Sequence, residues 1–345
     1  MSPGHFYAAM AAWYATHARD LPWRHTRDPY AVWLSEVILQ QTRISQGMAY
    51  WQRFMRAWPT VESLARASED EVLKMWQGLG YYSRARNLHS AARQVAEAGA
   101  FPHTLEGIRA LKGVGDYTAA AIASLAFGLP VAAVDGNAYR VLARMYGIAT
   151  PIDTTEGKKT FARLADSLAS QAPLQTLSPW GESCGGAALL NQAVMDFGAT
   201  LCTPKAPQCQ QCPLAEECEA RCQGSAERLP VKLKKQQMQT RRLTYIYIRC
   251  RDFTALHRRG AGDIWQGLWE PPLFENQPLP QWPGRLILKA SGVRHVLTHR
   301  ILVTDFFVLD TGIRPVLPPD YRWISECDLK DYAVPRLVEK LLQMV

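Results

Sequence analysis

The sequence lacks a hydrophobic run long enough to cross a membrane. Its longest apolar stretch, TAAAIASLAFGLPVAAV (118–134), is interrupted by Gly-Leu-Pro, whereas a transmembrane helix needs about 20 apolar residues. The N-terminal MSPGHFYAAMAAWYATHARD also lacks the basic-then-apolar order of a signal peptide. We therefore expect a buried helix and a turn at 118–134, no membrane partner, and a soluble cytoplasmic protein, associated with the nucleoid if its source is a bacterium.

Cysteine is scarce outside one short segment, which argues against a disulfide framework. Four of the eight cysteines lie in CTPKAPQCQQCPLAEEC (202–218), with the spacing C-x6-C-x2-C-x5-C. Clustered thiolates select zinc or iron–sulfur centres. Zinc sites usually pair two C-x2-C knuckles across a longer spacer, and only one such pair is present. The spacing favours an iron–sulfur centre over zinc without excluding zinc, and the candidate ligands are Cys202, Cys209, Cys212 and Cys218.

The remaining cysteines lie outside this pattern. We predict that they are small buried or half-buried residues without a metal role: Cys184, Cys222, Cys250 and Cys327.

Length and charge indicate two domains and a polyanionic partner. A chain of 345 residues is long for one core, and 39 Lys and Arg against 31 Asp and Glu give a net charge of +8. Helical spacing of apolar residues extends over 5–220, whereas LTYIYIRC (243–250) and ILVTDFFVLD (301–310) alternate as strands do. The sequence predicts a helical domain at 1–221, a basic linker at 222–242 and a small α+β domain at 243–345.

A glycine-containing turn precedes the apolar stretch. In LKGVGDYTAAAIASLAFG (111–128), Gly113 and Gly115 would permit a positive φ and close backbone approach. A helix that begins at Asp116 to Thr118 would direct its free N–H groups toward this turn, where a phosphate fits. The alternative is a helix–turn–helix corner that binds nothing.

Two carboxylates are candidates for acid–base chemistry. Glu36 is the only charge in AVWLSEVIL (31–39), where seven of nine residues are apolar. Burial would raise its pKa and suit it to act as a general acid, although a surface glutamate paired with an arginine is the alternative. Asp135 ends an apolar run and precedes a helix, so it is either a helix N-cap, a functional carboxylate, or both.

These motifs resemble the endonuclease III and MutY branch of the DNA glycosylases. The cysteine spacing is similar to the cluster loop of that superfamily, and L-x-G-V-G-x-x-T-A is similar to its helix-hairpin-helix motif. Four further segments resemble the MutY-type adenine DNA glycosylases, and the resemblance covers roughly residues 5 to 220. The segments are LPWRHTRDPYAVWLSEVILQQTR, GLGYYSRARNL, VDGNAYRVLAR and NQAVMDFGATLC. The resemblance implies a helix-hairpin-helix glycosylase domain with one structural [4Fe–4S] cluster.

The resemblance also implies roles for individual residues. Glu36 would protonate N7 of a flipped-out adenine, and Asp135 would stabilise the oxocarbenium-like sugar or its covalent adduct. Asn137 would hold water or the sugar. Gln41 and Tyr81 would wedge into the duplex, and the adenine side would be lined by Arg19, Trp23, Arg24 and Gln192.

Tyr117 separates two branches of the superfamily. The endonuclease III type carries a lysine at this position, which forms a Schiff base and then cleaves the strand. A phenol cannot form that imine, but it could donate a hydrogen bond to a catalytic carboxylate. Lys112 precedes the turn and is expected to face elsewhere. We therefore expect a monofunctional glycosylase.

The C-terminal part resembles the Nudix-like module with which the MutY family reads 8-oxoguanine. Residues 243–345 lack the R-E-x-x-E-E-x-G core of Nudix hydrolases, so the module should recognise the base without hydrolysing a substrate. The Phe-Ser-His loop of the family corresponds to Leu297, Thr298 and His299. Thr298 keeps a hydroxyl that would distinguish the oxidised base, whereas Leu297 gives up an aromatic contact.

The sequence thus predicts a monomeric DNA repair glycosylase that excises adenine opposite 8-oxoguanine, and opposite guanine as well, from double-stranded DNA. Two alternatives are a pyrimidine-specific glycosylase/lyase of the same fold and a non-catalytic iron–sulfur DNA-binding redox regulator. The cations near the linker are candidates for phosphate contacts or for a solvated surface: Lys232, Lys234, Lys235, Arg241 and Arg242.

Overall fold

The computed structural model describes residues 1–233 and 238–345. Residues 1–233 are mainly helical, as the spacing of their apolar side chains predicts. A two-strand hairpin, β1 (Thr176–Leu177) and β2 (Ser183–Cys184), interrupts the helices. The helices are α1 (Pro3–His17), α2 (Pro29–Leu39), α3 (Ile44–Ala57), α4 (Val61–Arg66), α5 (Glu69–Trp76), α6 (Ser83–Ala98), α7 (Leu105–Arg109), α8 (Asp116–Phe127), α9 (Gly136–Met145), α10 (Thr155–Ala169), α11 (Gly186–Thr200) and α12 (Glu219–Cys222).

The later part of the chain forms a mixed β-sheet with one terminal helix. The elements are β3 (Gln239–Cys250), β4 (Phe253–Arg258), β5 (Trp269–Glu270), β6 (Leu273–Glu275), β7 (Arg285–Val296), β8 (Arg300–Thr311), β9 (Tyr321–Ser325) and α13 (Arg336–Leu342). The strand order is β5-β4-β3-β8-β7, with β6 beside β3 and β9 beside β4. β3 and β8 pair in parallel, and the other pairs are antiparallel.

Both strands predicted from alternation are present. The segment 243–250 lies within β3, and 301–310 lies within β8. β3 begins at Gln239, however, so four residues of the segment predicted as linker belong to the sheet. Strand pairing explains this extension, because Gln239 to Arg242 continue the parallel register with β8.

The apolar stretch at 118–134 forms the buried helix that its composition predicts. α8 buries its residues from Thr118 to Ser124 and ends at Gly128, which adopts the left-handed conformation with a φ of 68°. α2 packs on α8 and is itself buried on nearly all sides. This packing brings the middle of α2 close to the first turn of α8.

α9 and α11 also pack closely against each other. α9 begins after the N-cap Asp135, and a Cβ built at Gly198 of α11 would lie 2.6 Å from the Cβ of Asn137. Only glycine therefore fits at this crossing. The core beneath these helices is made of large apolar side chains that include Phe6, Met10, Phe161 and Phe197.

Contacts divide the chain into two compact units. The first contains Met1–Gly47, Thr60–Glu62 and Ala91–Lys234, and the second contains Met48–Pro59, Ser63–Ser90 and Lys235–Val345. The domain limits inferred from the sequence, 1–221 and 243–345, remain a prediction. In the second unit, α13 packs Leu337, Val338 and Leu341 against the sheet. Among the described residues, no helix has the length and apolarity that crossing a membrane requires.

Candidate active site and cysteine loop

One pocket of the first unit collects most of the predicted site residues. Its walls come from the segment before α2, from α2 itself, from the turn that follows it, and from α8, α9 and α11. Because these segments are far apart in sequence, only the fold brings them together. The predicted residues that line it are Arg19, Trp23, Arg24, Glu36, Gln41, Tyr117, Asp135, Asn137 and Gln192.

Glu36 has the environment of a carboxylic acid that is half-protonated near neutrality. Burial raises its pKa to about 7, against the hydrogen bond from Tyr117, which lowers the pKa. The Tyr117 hydroxyl donates this bond to Glu36 Oε2 over 2.6 Å. The predicted contact between Tyr117 and a candidate catalytic carboxylate is therefore present.

Asp135 caps α9 and is held by two donors. Its Oδ1 accepts from the Ala138 N–H at 2.7 Å, and its Oδ2 accepts from Asn137 Nδ2 at 2.6 Å. Burial raises the pKa of this carboxyl, while the backbone and Asn137 hydrogen bonds oppose the rise. The N-cap interpretation of Asp135 is confirmed, and its carboxylate also faces the pocket.

Asp196 is a charged residue of this region that the sequence did not single out. Its side chain is 0% exposed and pairs with both Arg19 and Arg24. Arg24 donates to it at 2.6 and 2.7 Å, and Arg19 Nε donates at 2.8 Å. Burial alone would raise the pKa of Asp196, but the hydrogen bonds and charges of these arginines hold it below its usual value. A signal for it existed, because Asp196 lies four residues after Gln192 on one face of α11.

The turn after α2 positions Gln41. Gln41 has a φ of 57°, a left-handed conformation that is uncommon for a residue with a side chain. Gln40 ties the turn to α8, because its Nε2 donates to Thr118 Oγ1 at 3.2 Å.

Arg140 links Asn137 to the cysteine loop. Its Nη2 donates to Asn137 Oδ1 at 2.7 Å and to the Gly198 carbonyl at 2.6 Å, and its Nε donates to the Cys202 carbonyl at 2.7 Å. Asn137, which orients Asp135, is therefore connected through Arg140 to the backbone of Cys202.

The four clustered cysteines line one cavity. None of them forms a disulfide, and no three His, Cys, Asp or Glu side chains within 1–233 and 238–345 are grouped as a single metal ion requires. The cavity is bordered by Cys202, Cys209, Cys212 and Cys218, together with Arg144.

Arg144 is a buried cation without a carboxylate partner among the described residues. It is 2% exposed, and its Nη1 donates to Cys202 Sγ at 3.3 Å and to the Thr203 carbonyl at 2.7 Å. Its other donors meet the carbonyls of Pro204 and Leu229. A buried cation calls for a nearby anion, so thiolates that hold a metal group would fit this loop.

The turn at 110–115 joins α7 to α8 as predicted, but its two glycines differ. Gly113 has a φ of 76°. Gly115 is the N-cap of α8 with a φ of −92°, outside the left-handed region. Of the two glycines that permit a positive φ, only Gly113 therefore adopts one, because the N-cap of a helix has an extended conformation. A Cβ at Gly115 would meet nothing within 4 Å, so the space beside Gly115 is open.

Three predicted residues lie in the second unit and are described within that unit. Tyr81 has a φ of 47° and is 47% exposed, and its hydroxyl is hydrogen-bonded to Thr298 Oγ1. His299 is exposed, and its carbonyl accepts from the Gln239 N–H at 3.1 Å. Leu297 packs against the core of the sheet.

Two sets of expectations need correction. Cys222 and Cys327 are exposed, so predicting them as buried or half-buried was wrong; both lie at the ends of short surface helices or turns. Arg241 is bound to Asp263 and Glu275 by paired hydrogen bonds of 2.6–3.0 Å. It is therefore an intramolecular ion-pair partner, whereas Lys234 and Lys235 lie outside the described residues.

Comparison with known proteins identifies the two parts of the chain. Residues 34–166 match the model of the HhH-GPD superfamily of base excision DNA repair proteins, and residues 244–344 match the NUDIX domain. The predicted fold class, a helix-hairpin-helix glycosylase domain followed by a Nudix-like α+β domain, is confirmed.

Two sequence relatives are adenine DNA glycosylases. The chain is 42% identical over 235 residues to an adenine DNA glycosylase of Homo sapiens, covering 65% of this chain and 41% of that protein. It is 33% identical over 268 residues to an adenine DNA glycosylase of Buchnera aphidicola subsp. Acyrthosiphon pisum (strain APS), covering 77% of this chain and 73% of that protein. The chain spans 41–44% of the length of the mammalian curated relatives that it matches.

The first part of the chain is also similar to a solved structure with another description. A thermostable thymine-DNA glycosylase aligns with a TM-score of 0.56 and 30% identity, covering 64% of this chain and 97% of that protein. The similarity of fold alone therefore does not indicate whether the excised base is a purine or a pyrimidine.

Proposed function

This chain belongs to the adenine DNA glycosylase family, and on that premise we propose that it excises adenine mispaired with 8-oxoguanine, and with guanine, from double-stranded DNA. The observation that carries the proposal is the pair of carboxyl groups in one pocket. Glu36 has a pKa of about 7 and accepts from Tyr117, whereas Asp135 is fixed as a helix cap. One group is thus suited to give a proton and the other to remain in place beside a positive charge.

The proposed reaction breaks the bond between N9 of adenine and C1′ of the deoxyribose. Glu36 in its acid form gives its proton to N7, so the bonding electrons leave with a neutral adenine. The positive charge that develops on the sugar lies beside the Asp135 carboxylate. Asn137 holds that carboxylate through its 2.6 Å hydrogen bond. Addition of water at C1′, with loss of its proton to the ionised Glu36, leaves an abasic site.

The reaction ends at the abasic site because Tyr117 supplies no amine. Strand cleavage through an imine needs a primary amine near C1′, and the phenol at this position instead donates to Glu36. We therefore propose a monofunctional enzyme.

We further propose that Cys202, Cys209, Cys212 and Cys218 hold one [4Fe–4S] cluster. Four thiolates around a cavity suit a cluster, and the buried Arg144 guanidinium beside Cys202 suits an anionic group. When bound, the cluster would brace the loop and take no part in breaking the glycosidic bond. Zinc remains the alternative for the same four thiols.

The second unit supports the choice of 8-oxoguanine as the opposite base. The Thr298 hydroxyl and the Tyr81 hydroxyl are hydrogen-bonded to each other, and both side chains are exposed. A base that presents new donors or acceptors could therefore meet both hydroxyls. Gln41 and Tyr81 would fill the stack that the flipped adenine leaves.

A single-turnover assay tests the proposed function. The substrate is a labelled duplex with one adenine opposite 8-oxoguanine, and the reaction is quenched with and without alkali. We expect strand breaks only after alkali, and their loss in Glu36→Gln. Glu156→Gln, an exposed glutamate of α10, is the matched control and should behave as the unmodified protein does.

Other outcomes identify the rival functions. Breaks before alkali would indicate a lyase and contradict the role given to Tyr117. Release of thymine opposite guanine without release of adenine would indicate the pyrimidine-specific enzyme. Tight binding without any breaks would support the redox regulator.

Metal analysis tests the cluster separately. Purified protein is expected to contain four irons and four labile sulfides per chain, and Cys212→Ser should lose most of both. Cys327→Ser, an exposed cysteine of the second unit, should keep them. One zinc per chain and no sulfide would contradict the cluster.

A further inference from the structure

The amide of Gln192 is held from behind by a buried tyrosine. Gln192 of α11 lines the pocket, and its Oε1 accepts from the Tyr14 hydroxyl at 2.7 Å. Tyr14 of α1 is 1% exposed, and burial raises the pKa of its phenol far above the usual range. The hydroxyl therefore keeps its proton and can donate it to the amide oxygen.

The position of Tyr14 is fixed by its surroundings. Its ring packs in the main core of the first unit with Phe6, Met10 and Trp13. The Arg24 guanidinium lies over the ring at 5.6 Å from its centre, and Arg24 is itself bound to Asp196. A side chain enclosed in this way has one conformation, so the direction of its O–H is also restricted.

The hydrogen bond of the amide oxygen to Tyr14 determines which group of Gln192 remains for a ligand. With Oε1 turned toward Tyr14, the Nε2 group is left as a donor without a partner among the described residues. The neighbouring cations differ from it, because Arg19 and Arg24 direct their donors to Asp196 and to the Arg19 carbonyl. Because Gln192 lines the pocket, an NH2 group on that side would give the pocket a fixed neutral donor.

We propose that Tyr14 is a positioning residue that fixes the Gln192 amide with its NH2 group toward the excised base, and that this makes the pocket select a base with an unprotonated ring nitrogen. The inference rests on the proposed function. Adenine offers N1 and N3 as acceptors once N7 faces Glu36. Guanine carries a hydrogen on N1, and thymine carries one on N3, so either would place a donor against a donor if that edge faced Gln192.

Base analogues test the inference directly. Single-turnover rates are measured on duplexes that contain adenine, 1-deazaadenine or 3-deazaadenine opposite 8-oxoguanine, with unmodified protein and with Tyr14→Phe. The unmodified protein should lose about three- to tenfold in rate with one of the two analogues, as expected for one lost hydrogen bond. In Tyr14→Phe the Gln192 amide is free to rotate and exchange the positions of its oxygen and its NH2 group. Adenine should then react about three- to tenfold more slowly, and the penalty for that analogue should shrink toward one.

Two further variants separate positioning from folding. Tyr146→Phe removes another buried hydroxyl, one that has no hydrogen-bond partner among the described residues, and should keep the full analogue penalty. Gln192→Leu removes the donor itself and should abolish the penalty in either background.

The outcomes that contradict the inference are distinct from failure of the proposed function. If Tyr14→Phe lowers the single-turnover rate on all three substrates by the same factor, Tyr14 has only a structural role and the inference is wrong. If the unmodified protein shows no penalty with either analogue, Gln192 does not contact a ring nitrogen. If it fails to release adenine at all, the proposed function is wrong, whatever Tyr14 does.

Discussion

Two opposing effects make the largest contributions to the pKa of Glu36. Its helix is buried on nearly all sides, which disfavours the charged carboxylate, while the hydroxyl of Tyr117 stabilises it. The result is a pKa of about 7, the value at which a group is partly protonated at neutral pH and still gives up its proton readily. Tyr117 thus tunes the carboxyl that the proposed reaction uses as its acid.

The pH dependence of the single-turnover rate follows from this balance. Because the acid form of Glu36 is the reactive one, the rate should fall about tenfold per pH unit above about pH 7. Tyr117→Phe removes a bond that favours the carboxylate, so the pKa of Glu36 should rise and the alkaline decline should begin up to about one pH unit higher. Rates measured from about pH 5 to about pH 9 check this. An alkaline decline that stays in place in Tyr117→Phe would show that another group controls it.

Asp196 gives a prediction about stability. It is the buried counter-charge of Arg24, whose side chain is only 6% exposed. Asp196→Asn would leave a guanidinium uncompensated in the interior, so we expect a loss of about 3–5 kcal/mol in the free energy of unfolding, measured by urea titration. The control is Asp116→Asn, because Asp116 is 90% exposed and pairs only loosely with Arg109. Equal stabilities for the two variants would contradict a structural role for Asp196.

The sequence anticipated residues with a local signature and missed those defined by the fold. Glu36 stood out as a lone charge in an apolar helix, and Asp135 stood out as a polar stop before another helix. Tyr14 carries no such signature, and Asp196 has only its spacing of four residues from Gln192, because the partners of both lie more than 170 residues away. The Tyr117 bond was inferred only because a resemblance directed attention to that position.

At the scale of elements, the crossing of α9 and α11 determines how Asp135 is presented. Asn137 orients Asp135 and lies directly against Gly198 of α11. The carbonyl of Gly198 also accepts from Arg140, which holds Asn137 from its other side. The two helices therefore hold the carboxylate together.

Gly198→Ala tests this crossing. The added methyl would lie 2.6 Å from the Cβ of Asn137 and 3.2 Å from its carbonyl oxygen, so the helices must move apart. We expect about 1–3 kcal/mol of lost stability from overpacking, and a loss of single-turnover rate because Asn137 is displaced. Gly4→Ala in α1 adds a methyl with nothing within 4 Å and should leave both quantities unchanged or raise stability slightly. A fully active Gly198→Ala variant would show that Asn137 does not need this position.

The type of each of these secondary-structure elements could be predicted from the sequence, but the residues at which they begin were harder to predict. Alternation identified the cores of β3 and β8, but the start of β3 depends on a partner strand about 60 residues away, which no local pattern reveals. The turn before α8 was identified by its glycines, yet which of them takes a positive φ depends on where the helix begins.

Across the whole molecule, a net charge of +8 does not say which cations are free to meet a phosphate. Arg241 and Arg242 are neighbours on β3 and differ in this respect, because successive side chains of a strand point to opposite faces. Arg241 is bound to Asp263 and Glu275, while Arg242 is exposed and without an ion-pair partner among the described residues. A cation already paired within the protein releases no counterion from DNA.

This neighbouring pair makes the salt dependence of DNA binding informative. The logarithm of the association constant should fall linearly with the logarithm of salt concentration, with a slope of about −0.9 for each phosphate neutralised. Arg242→Gln should reduce the magnitude of that slope by about one. Arg241→Gln should leave the slope unchanged and instead lower the stability of the second unit, because Glu275 loses its ion-pair partner and Asp263 keeps only Arg259 and Arg300. Equal changes in slope for the two variants would show that the ion pairs of Arg241 open when DNA binds.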